Sequence, residues 1–484
     1  MKIRRSLIGR QTEINLLEKM LHSAQPEFFA VYGRRRVGKT YLLRQFAQSQ
    51  KKILFFDFTG QQNASLAEQI NNFCIRLEEV FKISPSIQRP KNWMGSLLLL
   101  NQLLNQQPLK TQFFLFFDEL PWIASRNSKF ISALDYIWNQ YWSKNSRLKL
   151  VVCGSAASWI IDKVINAKGG LHNRVTGQIN LAPFNLTEVE AFVQQKGINL
   201  NRGEILKIYM ALGGVPFYWT YLERGKSSAE IIDSLFFKKG APFKDEYLRL
   251  FGSLFENSET HEKIVKALSV HRNGLSREDL LLELKMKSGG QFNRYLNELI
   301  VSGFVQEFIP YGRKKKDHYF RLIDPFCFFY LKWQSEISIG RTSWKSLQGT
   351  PRMQAWLGYT FENICILLES KMQKSLGLEG MVLSSSSWTY RSSPKNKDQK
   401  GLQIDLLWQR KDNVIQIFEM KYSELPFKLE KNYALSLSDK IEIFKEKTNF
   451  RGQIFVTLVS PHGLAPGLWN EDIIHNVVTL KEIW

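Results

Sequence analysis

The chain has 484 residues, 44% of them hydrophobic and 23% charged, a balance that can bury several cores and excludes a disordered, collagen-like or low-complexity protein. Its 66 Lys and Arg outweigh 45 Asp and Glu, and the resulting net charge of +21 favours polyanionic partners such as nucleotides or nucleic acid. Residues 1–255 hold +15 of that excess, while 256–344 and 345–484 hold +3 each. The cysteines Cys74, Cys153, Cys327 and Cys365 form no C-x-x-C pair, which excludes a cysteine zinc site or disulfide framework and fits a reducing compartment. No apolar run reaches the roughly 18 residues of a membrane span, and residues 1–5 (MKIRR) precede too few apolar residues for a signal segment. A soluble cytoplasmic protein without a transmembrane segment is expected.

In chain order, residues 28–32 (FFAVY) read as a buried strand that leads into 33–40 (GRRRVGKT) and then a helical pattern over 41–46. Strand, loop and helix are the context that G-x-x-x-x-G-K-T requires. Gly33 and Gly38 let the backbone of Arg34, Arg35, Arg36 and Val37 wrap phosphates at a helix N-terminus, where Lys39, Thr40 and Tyr41 begin. Lys39 is expected to reach the β- and γ-phosphates and the Thr40 hydroxyl to hold Mg²⁺. Residues 112–117 (QFFLFF) are apolar on both faces, as parallel strands are, and end in Asp118-Glu119. Asp118 is expected to complete the metal shell and Glu119 to act as general base, which makes ATP hydrolysis the expectation. A strand over 148–153 runs into Gly154-Ser155, where Ser155 either contacts the γ-phosphate or attacking water or is an ordinary turn residue. Arg174 either stabilises transition-state charge or is a solvated surface residue.

These residues, with Ile8-Gly9-Arg10 ahead of a helix and 213–216 (GGVP), resemble the archaeal-type ATPase family, a branch of the P-loop ATPases related to AAA+ and STAND proteins, over roughly the first 250 residues. The resemblance implies that Ile8 and Gly9 lie near the adenine, that Ser155 is sensor 1, and that Pro216 belongs to the G-x-P element of a helical lid. It also implies an arginine finger at Arg174, acting within its own chain or on a neighbour in a homo-oligomer.

Helical patterns continue over 186–192, 205–210 and 231–236, as a small lid would require. Helices over 259–270, 275–285 and 290–301, the second opened by Ser276, precede strands over 304–309 and 318–323 joined by a basic tip, Arg313 to Lys316. Three helices and a hairpin suggest a winged helix-turn-helix, in which the third helix enters a major groove and the tip meets phosphates, or which packs as a spacer or binds protein.

A linker is expected over 342–351, a helix from 356 carrying Glu362, a loop over 384–400, and strands over 401–408 and 414–421. Period-2 alternation puts Glu419 and Lys421 on one face with Ile415 and Ile417, and a hairpin loop of three or five residues would set Asp405 opposite Glu419. Facing carboxylates destabilise a hairpin, and a divalent cation would remove that penalty. The set resembles the PD-(D/E)xK nuclease superfamily, with Ile404 in place of the motif's proline. That likeness implies Asp405, Glu419 and Glu362 as metal ligands and Lys421 as the residue that orients or activates water. A non-cleaving binding module, with Glu419 and Lys421 as an ion pair, stays open beside active cleavage.

The expected protein is α/β, with a P-loop ATPase core over 1–183, a helical lid over 184–255, a winged helix over 256–341 and a restriction-endonuclease-like domain over 342–484. ATP, Mg²⁺ and possibly DNA are its expected ligands. One reading is an ATP-driven or ATP-gated enzyme acting on nucleic acid; the other is a STAND-like regulatory switch.

Overall fold

The computed structural model describes residues 7–84, 87–125, 127–166, 171, 173–255, 258–339, 343–390 and 401–484. The chain divides into two compact units, one of Met1–Phe184 with Val215–Thr220 and Val301–Gly303, the other of Asn185–Gly214, Tyr221–Ile300 and Phe304–Trp484.

The first unit is built on five parallel strands, β1 (Glu27–Tyr32), β2 (Ile53–Thr59), β3 (Gln112–Asp118), β4 (Leu148–Gly154) and β5 (Gly177–Asn180), in the order β2-β3-β4-β1-β5. Its central strands are apolar on both faces because both faces are covered. Phe28, Ala30, Phe113, Leu115, Phe117, Leu148, Leu150 and Val152 enter one core, while Phe29, Val31, Phe114, Phe116, Val151 and Cys153 enter the other. In the first core Phe58, Phe73, Trp93, Phe117 and Phe130 meet largely edge to face, with Phe73 and Trp93 supplied by the helices Leu66–Phe81 and Trp93–Asn105. Sequence reading passed over edge strand β2, whose Asp57 is polar but gripped by Arg44 at 3.0 Å and by Arg76.

In the second unit, the helices Ser258–Val270, Arg277–Glu283 and Gly290–Val301 accompany a small antiparallel sheet of β6 (Leu275–Ser276), β7 (Val305–Phe308) and β8 (Tyr319–Leu322), ordered β6-β8-β7. Ser276 caps its helix by accepting from the Asp279 N–H at 3.1 Å. A mixed sheet follows, ordered β13-β12-β11-β10-β9, from β9 (Val382–Tyr390), β10 (Leu402–Arg410), β11 (Val414–Met420), β12 (Gln453–Val459) and β13 (Asn476–Val478). β9, β10 and β11 run antiparallel, and β11, β12 and β13 parallel.

Two expectations change here. Residues 384–390 belong to β9 rather than a loop, because the polar run 384–387 (SSSS) pairs along β10; residues 391–400 of that expected loop lie outside the described residues. The expected linker holds a 3₁₀ turn at Trp344–Leu347, and its helix starts early, at Pro351, after a Thr350 cap that accepts from the Met353 N–H; Thr342 lies outside the described residues. Among the described residues no helix is long and apolar enough to cross a membrane.

The loop after β1 can turn only at glycine. Gly33 has φ +142°, and a Cβ there would lie 2.4 Å from the Leu181 carbonyl oxygen, which is backbone and cannot swing aside. Gly33→Ala is therefore expected to destabilise the chain by at least about 2 kcal/mol in denaturant unfolding; an unchanged midpoint would contradict the close approach.

Candidate functional site: a nucleotide centre and a buried carboxylate cluster

Because the strands of the first sheet are parallel, their C-terminal ends share one edge, and the polar residues collect there. Gly38 (φ +93°) opens the helix Lys39–Ser49. Lys39, buried, donates from Nζ to the Gly33 and Arg34 carbonyls at 2.8 and 2.9 Å, spanning the loop it is expected to serve. Thr40 Oγ1 donates to Asp118 Oδ2 at 2.8 Å, so the hydroxyl at the helix start and the carboxylate ending β3 meet. Both are hard oxygen donors, a pair that suits Mg²⁺. Glu119 sits in the left-handed region at φ 48°, and its Oε2 accepts from the Ser155 N–H and hydroxyl at 3.2 and 3.0 Å. Ser155 thus orients the expected base.

Arg10 and Phe217 extend the site beyond the residues singled out for it in the sequence. Arg10 is buried; its Nη2 donates to the Val37 carbonyl at 3.3 Å, and its guanidinium lies 4.7 Å from the Phe184 ring centre. It ties the Ile8-Gly9 turn, where Gly9 has φ +61°, to the phosphate loop. The Arg36 guanidinium lies 4.3 Å over the ring of Phe217, next to Pro216 at the start of the helix Pro216–Trp219. An aromatic after the G-x-P string, opposite an arginine-rich loop, was the available signal. Arg34 is buried, Arg35 and Val37 continue the loop, and the Tyr41 ring is half exposed.

Arg174 stands apart from this edge. Thr176 donates from its N–H to the Phe28 carbonyl at 2.8 Å, which places Arg174 beside the N-terminal end of β1, whereas the phosphate loop follows the C-terminal end. Strand rise over Phe28 to Tyr32 alone is about 13 Å, more than an arginine side chain spans. Arg174 is exposed and out of reach of its own chain's phosphate loop.

In the second unit the β10–β11 ladder pairs Leu406 with Phe418 and Leu407 with Ile417 around a three-residue loop, a register that carries Asp405 opposite Glu419. Glu419 is buried and surrounded by donors: Lys421 Nζ at 2.8 Å, Lys440 Nζ at 2.9 Å and the Tyr433 hydroxyl. Burial alone would raise its pKa, but the charges of Lys440 and Lys421 more than offset this and hold it at about 2. Lys421 is driven the other way: burial opposes its charge, and Glu419 restores it and raises the pKa. Glu362, on the helix Pro351–Leu367, is pushed up to about 7, first by burial and then by the charge of Asp405. Asp405 is raised by burial and by Glu419, and Gln403 donates to it. Glu362 and Asp405 line one small void, and Glu419 is bound up in its own ion network. Among the described residues no group of three or more His, Cys, Asp or Glu stands arranged to hold a metal. Tyr433 and Lys440 were missed in the sequence, although positions 433, 437, 440 and 444 fall on one stripe of the helix Lys431–Thr448 and a lysine on an apolar stripe was the signal.

Residues 7–222 match the model of an ATPase domain found predominantly in Archaea. An uncharacterized protein of Methanocaldococcus jannaschii is 24% identical over 423 residues, covering 83% of this chain and 87% of its own length. An uncharacterized ATP-binding protein of the same organism is 36% identical over 44 residues, 9% of this chain and 75% of that protein. Among solved structures, a Walker-type ATPase of Pyrococcus abyssi aligns with TM-score 0.49 at 19% identity, over 68% of this chain and 97% of that one. The ORC2 protein of Aeropyrum pernix aligns with TM-score 0.41 at 15% identity, over 69% and 95%. The N-terminal region is an ATPase domain of archaeal type, an α/β fold on a parallel sheet.

The raised Glu362 has a measurable consequence. A carboxyl whose folded pKa lies above its unfolded value adds nothing below the unfolded pKa, near 4.5, and penalises folding increasingly as pH rises through about 7. Glu362→Gln is expected to stabilise the chain by about 1–3 kcal/mol at pH 8 and to lose that advantage below pH ~4.5. Equal stabilities at pH 8 in denaturant unfolding would contradict the assignment.

Proposed function

We propose that the chain binds and hydrolyses ATP with Mg²⁺ at the edge formed by Lys39, Thr40, Asp118 and Glu119, and that nucleotide state is coupled to a C-terminal PD-(D/E)xK-like domain that acts on or binds DNA. The observation that carries the ATP reading is the Thr40–Asp118 hydrogen bond, with Glu119 beside it. Thr40 and Asp118 would hold Mg²⁺, which when bound neutralises phosphate charge. Lys39 exchanges its loop carbonyls for phosphate oxygens. Glu119, oriented by Ser155, takes the proton of the attacking water at its carboxylate. Ile8 and Gly9 flank the adenine side, and Pro216 begins the lid element. Arg174, too far from its own chain's loop, serves the nucleotide of a second copy in a homo-oligomer.

The same reading divides the chain into core (1–183), lid (184–255), winged helix (256–341) and nuclease-like domain (342–484), with Asp405, Glu419, Glu362 and Lys421 as the second centre. The facing of Asp405 and Glu419 across the hairpin supports it. A second reading, a STAND-like switch whose C-terminal domain binds without cutting, is favoured by one observation: Lys421, Lys440 and Tyr433 already engage both oxygens of Glu419.

Phosphate release and DNA integrity, followed in one reaction with Mg²⁺ or Mn²⁺, test both readings. Lys39→Ala is expected to abolish turnover, and Glu119→Gln to lower it about 100-fold or more while ATP still binds. Unchanged turnover in Lys39→Ala would overturn the ATP site. DNA cut by the wild type but not by Asp405→Ala selects the nuclease reading, and intact DNA throughout selects the switch.

A further inference from the structure

We propose that the helical and hairpin module over 258–322 is a lid on the carboxylate pocket of the C-terminal sheet, latched by Arg272 and Arg321, which compete there with a divalent cation. The inference rests on the reading of Asp405 and Glu362 as a cation site and adds a control to it.

Three observations converge. First, Arg272 and Arg321 line the same void as Glu362 and Asp405, so guanidinium groups from one module face carboxylates of the other. Arg321, on β8, is only 6% exposed. Its Nε donates to Gln306 Oε1 at 2.9 Å, and its guanidinium lies 4.5 Å from the Phe308 ring centre, which fixes its direction. A guanidinium so buried needs anions nearby, and Glu369 and Asp405 are the carboxylates that act on it. Arg272 follows the helix Ser258–Val270, lies 4.8 Å over the Tyr359 ring and acts on Glu362 from the exposed rim.

Second, the hairpin is physically docked. The Tyr311 N–H, in the β7–β8 turn, donates to the Ser387 carbonyl of β9 at 2.8 Å, and the Tyr311 ring lies 5.3 Å from Phe444 against the core of the C-terminal sheet. The turn that leads to Arg313 and Lys316 is therefore anchored in its own chain.

Third, size decides what the pocket admits. The void is about 20 Å³, room for one water or one ion. A phosphodiester group is several times larger, so a polynucleotide reaches Asp405 only after the module withdraws. Withdrawal would also remove two positive charges from the carboxylates, coupling access for substrate to affinity for the cation.

Mn²⁺ binding to the full chain, followed by electron paramagnetic resonance, tests the latch without relying on any activity. Arg272→Ala, at an exposed position, is expected to bind Mn²⁺ about tenfold more tightly than wild type, and Arg272→Lys to restore wild-type affinity. Tyr311→Ala, which undocks the hairpin and keeps both arginines, is expected to tighten binding in the same direction. Asp405→Asn is expected to abolish the site in every background. If Asp405→Asn removes binding but Arg272→Ala and Tyr311→Ala leave affinity unchanged or weaken it, the cation site stands and the latch is overturned. If no chain binds Mn²⁺ through Asp405, the cation site falls and the latch falls with it.

Discussion

An all-parallel sheet covered on both faces leaves only its strand ends for polar chemistry, and the first unit is organised by that constraint. β1, β3 and β4 are buried nearly throughout, so a charge midway along them would carry a desolvation cost without a partner. Lys149, the charged residue within β4, shows the rule: its ammonium is spent on the carbonyls of Ser23, Gln25 and Ser146. The remaining polar groups emerge together where β1, β3 and β4 end, as the phosphate loop, Asp118-Glu119 and Ser155. The Thr40–Asp118 contact is thus a result of strand order as much as of either residue.

The C-terminal sheet solves the opposite problem. It buries carboxylates and must supply the charges that make this tolerable. Glu419 obtains two lysines and a tyrosine and remains ionised; Glu362 and Asp405 obtain less and are pushed toward the protonated form. The near balance of acid and base in the last third of the sequence is what such an internally compensated cluster requires. The net charge of +21 consequently points to the ATPase half, where Arg34, Arg35, Arg36 and Lys39 crowd one loop.

Legibility in the sequence followed locality. The phosphate loop, Asp118-Glu119 and the β10–β11 hairpin are contiguous patterns whose chemistry lies in the string, and even the facing of Asp405 and Glu419 could be reasoned from loop length. Arg174 was legible as an arginine but not as one at the far edge of the sheet, because its place depends on β5 pairing with β1 across more than a hundred residues. The 384–387 serine run looked like a loop because serine favours turns, yet tertiary pairing made it strand. Tyr433, Lys440, Arg272 and Arg321 come from elements distant in sequence, and only the packing of those elements brings them to the carboxylates.

Titration of the purified full chain with a fluorescent ATP analogue, with and without Mg²⁺, tests the central claim most directly. One saturable site per chain, tightened by Mg²⁺ and displaced by unlabelled ATP, is the result that the meeting of Lys39, Thr40 and Asp118 predicts. Binding that does not saturate, or a site indifferent to both Mg²⁺ and ATP, would contradict it.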